Sequence, residues 1–539
     1  MTREEILITD IPSRMVSGKI GRKGKPGQWR CCPYRCREYS GVMVTCGMST
    51  NPEPLVIRLG AKGLYRIHLG IFNVFEGFET WIRVRLSSDT CCRALKVPVR
   101  EHGSDVYVYE MPWRDADLTN QDLILEGEFG KVGSLASVRL EPIASLPKAG
   151  KPKIAFPMAI TEDGHQAFVK RPHRRPEDLL EALDEIPAES CMKILIWGTT
   201  GADLCNYPTR EGTYDYGRSE DPLCSWYQVR DENMRLWKKK GWNSMEVMRD
   251  YARKRGWEFH VSMRAQAFSA HYPFDEALIS DFFNRHPEWR CVDEKGETIA
   301  RMSYAYPQVQ DHLLAIMQEM LAYEPDGLCI IFVRGIPLVL YEPVMREGFK
   351  RECGLDPLKL PENDARWTAY KCSVITAYMR RVKALLKRGQ RLAVMVPASK
   401  SRRMWGGLDI ERWVREGIID DLYPMALRYD ELDCHRCGAA RSLRMESFQR
   451  LRGRENIRVI PILNEGPDPK LRGLMRSHLM KGADGYALWD GAHPRLEYFH
   501  NLGYPRLRHP AVRKPEYRRI QIERIGDMRI DRYHPWEVF

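Results

Sequence analysis

PQVQDHLLAIMQEMLAYEPDGLCIIFV (307–333) joins an amphipathic helix to a strand. Pro307 stands where a first helical turn tolerates the missing N–H, and Leu313, Ile316, Met317, Met320 and Leu321 fall on one face at three- and four-residue spacing. The apolar run GLCIIFV (327–333) is too short for a helix and follows Pro-Asp-Gly, a turn signal. A helix that delivers the chain into a fully apolar strand is half of a βαβ unit, in which helices cover both faces of a parallel sheet.

The same alternation extends in both directions. Strand-like runs are KIAFPMAI (153–160), MKILIWG (192–198), EFHVSMR (258–264), GLCIIFV (327–333), LAVMVP (392–397), IDDLYPM (419–425), IRVIPIL (457–463) and GYALWD (485–490). Between them, 366–388 carries Tyr370, Val374, Tyr378, Val382 and Leu386 at four-residue spacing and meets a stop at Gly389. Shorter helical segments occupy 176–188, 243–255, 409–416, 469–480 and 495–502. Eight such runs predict an α/β chain with a (β/α)8 TIM-type barrel over 149–510, enlarged by insertions beyond the usual ~250 residues. A doubly wound open sheet alternates in the same way. No GxGxxG or GxxxxGKS/T follows any run, which removes the mark of nucleotide-binding sheets, and no cofactor is expected.

Upstream the texture differs. VMVTC (43–47), PLVIRLG (54–60), LYRIHLGIF (64–72), ETWIRVRLS (79–87), ALKVPV (94–99), DVYVYEM (105–111), LILEG (123–127) and SVRLEPI (137–143) alternate apolar and polar residues between turn residues. That pattern predicts an all-β sandwich or jelly-roll domain over 41–148, preceded by an extension (1–40). SLPKAGKPK (145–153) reads as a linker, and 511–539 as a tail packing on the barrel or the sandwich.

The bulk properties exclude several classes. A 539-residue chain with 43 % hydrophobic residues and fourteen Trp is a folded one. Its net charge of +12, from 84 Lys plus Arg against 72 Asp plus Glu, is spread along the chain, whereas a nucleic-acid footprint is concentrated; no nucleic-acid partner is expected. The N-terminal MTREEILITDIPSR has no apolar core for a signal peptide, and no run approaches the ~18 apolar residues of a membrane span. Fifteen Cys, an odd number, fit free thiols in a reducing compartment. The chain reads as cytoplasmic, with no membrane partner.

In a barrel, catalytic groups lie at and just beyond the C-terminal ends of the strands. Strand one leads to Glu162, Asp163 and His165, and strand two, ending in Trp197, leads to Asp203, Asn206 and Tyr207. Strand three ends in Arg264, followed by Gln266 and His271; strand four leads to Arg334 and Glu342; strand five to Trp405. Tyr423 lies in strand six, Glu465 follows strand seven, and strand eight ends in Trp489-Asp490. Glycoside hydrolysis needs one protonated and one ionised carboxyl, which makes Glu465, Glu342 and Asp490 the catalytic candidates. Trp197, Trp405, Tyr423, Trp489 and Tyr207 supply aromatic faces for sugar rings, with Asp203 and His271 as hydrogen-bonding groups. Arg264 and Arg334 fit a carboxylate or sulfate on the substrate, or pair with the acids of the mouth. Cys434-His435-Arg436-Cys437 offers too few ligands for a zinc site without a second pair nearby, so no metal is expected. No GxSxG or HExxH is present.

HPEW (286–289), the segment 306–332 and GLDIERWVREGIIDDLYPM (407–425) together resemble the family-10-like glycosyl hydrolases of bacteria, a likeness covering roughly 153–505. The resemblance implies a glycosidase barrel acting on a carbohydrate, with the β-domain as an accessory that binds glycan or covers the barrel. Such relatives carry an Asp at the end of strand four, in a pattern like DGIHLDD. Here DGLCIIFVRG sets Ile331, Phe332 and Arg334 in that region, so that acid is not carried over and Glu342 is the nearest substitute. The departure leaves a second reading, a non-catalytic glycan-binding or assembly protein on a degenerate barrel.

Overall fold

The computed structural model describes residues 4–73, 79–97, 106–146, 157–186, 190–199, 201–214, 225–272, 274–333, 335–426, 443–451, 453–463, 477–489 and 517–530. The chain divides into two compact units, Met1–Lys151 with Arg508–Phe539, and Pro152–Leu507.

The first unit is built from strands. Each of the eight runs read upstream contains one, including Leu64–Phe72, Thr80–Leu86 and Ser137–Pro142. One sheet of ten strands and another of five enclose a common core. In Leu64–Phe72 the period of two turns Tyr65, Ile67, Leu69 and Ile71 into that core, where they meet Leu55, Ile57, Ile82, Val84 and Leu123 of the smaller sheet. Residues 1–40, expected as an extension, instead supply the strands Ile6–Ile8, Met15–Ser17, Ile20–Gly21 and Trp29–Cys36. The last of these lacks a strand's signal because Pro33 and the adjacent Cys31 and Cys32 interrupt its alternation. The described part of the tail also joins this unit. Arg518–Ile525 pairs antiparallel with Tyr107–Asp117 and with Trp29–Cys36, and seats Ile520 and Ile522 in a second apolar cluster with Tyr34, Met43 and Val108.

In the second unit the eight runs read as strands hydrogen-bond in parallel. Met158–Glu162, Met192–Gly198, Glu258–Arg264, Gly327–Ile331, Arg391–Pro397 and Asp421–Met425 are ring strands one to six. Strand seven comes in two pieces, Arg458–Val459 and Ile462–Leu463, and Tyr486–Leu488 is strand eight. Strand eight pairs with strand one, Ile160 opposite Leu488, so the sheet closes on itself. Ala159, Ile194, Ile196, Cys329, Ile331, Ala393, Met395, Tyr423, Met425, Ile460, Ile462 and Ala487 form the cluster inside the ring. Outside lie Ser244–Arg255, capped by Asn243 and ended by left-handed Gly256; Pro307–Leu321; and Ala365–Leu385, capped by Asp364. Two helices not read from the sequence, Ser225–Lys240 and Pro343–Cys353, complete the loops after strands two and four.

The N-terminal end of the ring is closed by charge. Arg458 donates to Glu258 of strand three at 2.9 and 2.8 Å and to Asp421 of strand six at 2.7 Å, while Arg391 of strand five also donates to Asp421, as close as 2.6 Å. Asp421 is wholly buried. Burial alone would raise its carboxyl, but the two guanidinium groups outweigh that and hold it below the usual range; Glu258 is lowered likewise by His260 and Arg458.

Among the described residues, Arg458→Met leaves Asp421 with Arg391 alone and Glu258 with His260 alone, and is expected to cost about 3 kcal/mol, read as a lower urea midpoint at pH 7. Because both folded-state carboxyls lie below their unfolded values of ~4, this stability is complete above that pH and is lost as pH falls through the lowered values. The wild type should therefore lose more stability than Arg458→Met between pH 5 and about 3; equal losses would refute the assignment. In the first unit, Ile522→Ala is expected to lower stability by about 2–4 kcal/mol, and an unchanged melting profile would show that the C-terminal strand is dispensable.

Candidate active site

Three ring strands and one helix build one side of the C-terminal mouth. Strand one delivers Thr161-Glu162-Asp163-Gly164-His165, whose turn depends on Gly164. Its φ is +72°, and a Cβ there would collide with the Gly198 carbonyl and the Asn206 amide. Asn206 Nδ2 donates to the carbonyls of Gly164 and Gly198, both at 2.9 Å, and Ser244 Oγ donates to Asn206, so one amide ties the first two loops together.

Asp163 follows the last residue of strand one. Its Oδ1 accepts the N–H groups of His165 (2.8 Å) and Gln166 (3.0 Å), and its Oδ2 accepts from Arg264 Nη2 at 3.1 Å. Burial opposes ionisation, but Arg264, His165 and the two N–H donors outweigh it and hold the carboxyl below the ordinary value. His165 lies 5.0 Å from the Tyr227 ring. Burial, aided by Arg230 and Arg264 and opposed by Asp163, pushes its pKa down to about 4. The imidazole is therefore neutral at pH 7, and its Nδ1 has no hydrogen-bond partner among the described residues. Arg230 is stacked 4.6 Å from the Tyr227 ring and is anchored to Asp231 and the Ala277 carbonyl. An ionised carboxylate, a neutral imidazole and two guanidinium groups thus converge at one side of the mouth. This set can orient hydroxyls, and its carboxyl is ionised, as a base or nucleophile must be and an acid must not.

The residues singled out from sequence are distributed unevenly. Arg264 is in this cluster. Trp489 packs against the interior cluster of the ring. Tyr423 is inside the ring and Trp197, alternating with Ile194 and Ile196, points away from the interior; both are wholly buried. Asp203 is also buried, with Oδ2 3.3 Å from His312 Nε2, and buried Tyr207 donates to Glu319 at 3.4 Å. All four are buried. His271 is exposed on the loop after strand three. Trp405 belongs to the outer helix Lys400–Trp405, with its indole N–H on Glu362.

Glu342 is fully buried at the head of the Pro343–Cys353 helix. Both its oxygens accept the Leu340 N–H, at 3.0 and 2.9 Å. Burial raises its carboxyl despite hydrogen bonds from Leu340, Cys291 and Ser303. It braces the loop after strand four against the Arg290–Val292 strand. Glu465, Asp490, Arg334 and the Cys434–Cys437 motif lie outside the described residues. Tyr227 and Arg230 escaped the sequence reading because SWYQVRDENMRLWKKK (225–240) is so polar that its Tyr227, Met234 and Trp237 face was overlooked.

Arg264→Ala is expected to raise the pKa of His165 above about 4, since a repelling cation is removed, whereas Asp163→Asn should lower it further. Proton NMR titration of the histidine ring signals checks both; shifts in the opposite sense would dissolve the cluster as described.

No curated protein matches the chain in sequence. Solved structures similar to it include the catalytic domain of a β-amylase from Paenibacillus polymyxa, at 10% identity over 66% of this chain and 98% of that one, with a TM-score of 0.41. An α-galactosidase from Thermus thermophilus in complex with stachyose matches at 14% identity over 89% and 100%, with a TM-score of 0.37. A GH18 chitinase from Pseudoalteromonas aurantia matches at 8% over 65% and 100%, with a TM-score of 0.33. Likenesses this distant carry no argument about mechanism or substrate. The family comparison is more direct: residues 223–433, which contain HPEW and the 306–332 and 407–425 segments, match the model of the family described as Glycosyl hydrolase-like 10.

Proposed function

We propose that the chain is a glycoside hydrolase whose ring of strands is the core of a complete (β/α)8 barrel and whose reaction takes place at the C-terminal mouth. The observation that carries this reading is the match of 223–433 to a glycosyl hydrolase-like family, on a chain whose strands close into a parallel ring. The ionised Asp163, held by Arg264, supplies the charge that an oxocarbenium-like transition state requires. The protonated partner is drawn from Glu465 and Asp490, which follow strands seven and eight in the sequence; strand eight pairs with strand one in the ring, and strand seven is the next beyond it. Glu342 does not contact substrate in this scheme, because it is buried and spent on Leu340. Arg264, whose side chain is partly exposed, favours a hydroxyl-rich or anionic sugar. The N-terminal strands form a β-sandwich that acts as an accessory domain, and the free state of the described cysteines supports a reducing, cytoplasmic location.

One observation favours the second reading, a non-catalytic glycan-binding protein. Strand four ends in buried Ile331, Phe332 and Val333 at the place where relatives carry an acid, and Asp163 is already neutralised by Arg264.

The deciding measurement is hydrolysis of a panel of neutral and acidic glycans and aryl glycosides by the wild type, Asp163→Asn, Glu465→Gln and Asp490→Asn at matched folded concentration. A catalytic carboxylate is identified by a loss of about a thousandfold, or roughly 4 kcal/mol, while Glu342→Gln should alter stability more than turnover. Binding of glycans without hydrolysis by the wild type would establish the second reading.

A further inference from the structure

A cavity of about 440 Å³ opens between the first turns of the Ala365–Leu385 helix and the Lys400–Trp405 and Ile410–Arg415 helices. None of its lining residues belongs to a ring strand, so it is separate from the mouth that holds Asp163 and Arg264. Trp405 and Met404 form one wall. The indole is fixed before any ligand arrives: Nε1 donates to Glu362 at 2.6 Å, and Lys371 Nζ donates to the Trp405 carbonyl at 3.0 Å. Its ring is therefore a preset apolar surface whose only polar atom is already engaged.

Facing this wall are polar side chains with hydrogen-bonding capacity to spare. Asp409 uses Oδ1 to cap its helix, accepting the Arg412 N–H at 3.0 Å, and its Oδ2 has no hydrogen-bond partner among the described residues. The Asn363 amide and the Thr368 hydroxyl are likewise unengaged among those residues, and all three line the cavity. A fixed aromatic face beside a carboxylate oxygen, an amide and a hydroxyl matches the two surfaces of a pyranose, an apolar C–H face and a rim of hydroxyls. The volume lies in the range of small-ligand sites. Arg412, the cation among the lining residues, has its Nε on Glu416 at 2.7 Å, and Glu362 and Asp409 are acidic, so an anionic sugar is disfavoured.

We propose that this cavity is a second carbohydrate site, outside the barrel mouth, which holds one or two residues of a neutral glycan against Trp405. The proposal rests on the glycan-directed reading above, but it requires no hydrolysis. Its role is to keep a long chain on the protein while another part of it occupies the mouth, so its effect should grow with glycan length.

The test uses full-length protein labelled with 5-fluorotryptophan, with the Trp405 fluorine signal assigned by its loss in Trp405→Ala. Neutral hexasaccharides of glucose, mannose, galactose and N-acetylglucosamine are titrated up to about 10 mM, enough to detect a Kd near 1 mM. At least one should shift the Trp405 signal saturably. Ala369→Phe, which fills the cavity from an exposed lining position, should weaken that titration tenfold or more with an unchanged melting temperature. A Trp405 signal unmoved by every hexasaccharide, or moved equally in Ala369→Phe, overturns the proposal. Hydrolysis without this shift would sink the second site alone, and the shift without hydrolysis would sink the glycosidase reading alone.

Discussion

The guanidinium of Arg458 is the point on which the ring depends. It binds carboxylates from strands three and six at once, and Asp421 passes the connection to Arg391 of strand five. Four strands drawn from residues 258 to 459 are thereby held at one stagger, which a parallel ring must have if it is to close. Taking Asp421 out of water is unfavourable, and it is tolerated because each of its oxygens meets more than one donor. Above this plug the interior is apolar, so the ring is charged at its floor, apolar through its middle and charged again at its mouth.

The two charged ends are built for different tasks. At the floor, Asp421 is saturated by donors and buried; nothing can reach it. At the mouth, Asp163 faces one guanidinium and two backbone N–H groups among the described residues, and beside it sits a neutral imidazole with a nitrogen that none of those residues engages. Strand three spans both ends, Glu258 at the floor and Arg264 at the mouth, and so couples the stagger of the ring to the position of the Arg264 side chain.

Within the second unit, the sequence reading located the eight strands because each is a short apolar run between turn signals, and it located the longer helices because their periodicity repeats over several turns. It failed where those signals are weak. Trp29–Cys36 carries Pro33 and three cysteines in place of clean alternation, and Ser225–Lys240 is dominated by charge. The site was legible only in outline. Arg264, Asp163 and His165 could be read as strand-end residues, but Trp197, Asp203, Tyr207, Tyr423 and Glu342 have the same kind of position in the chain and turn out to be buried.

What the sequence by itself determined is therefore local: the class of each element, the alternation that demands a parallel sheet beside an antiparallel one, and the strand ends from which a site must be drawn. Only the tertiary structure decided which side of a strand end faces the mouth, that Glu342 is spent on Leu340, that a strand from the far C-terminus completes the N-terminal sheets, and that Trp405 walls an outer cavity. The physical reason is one of range. Periodicity and turn chemistry act within a few residues, whereas burial, ion pairing and strand partnership join positions hundreds of residues apart, as Arg518–Ile525 does with Trp29–Cys36.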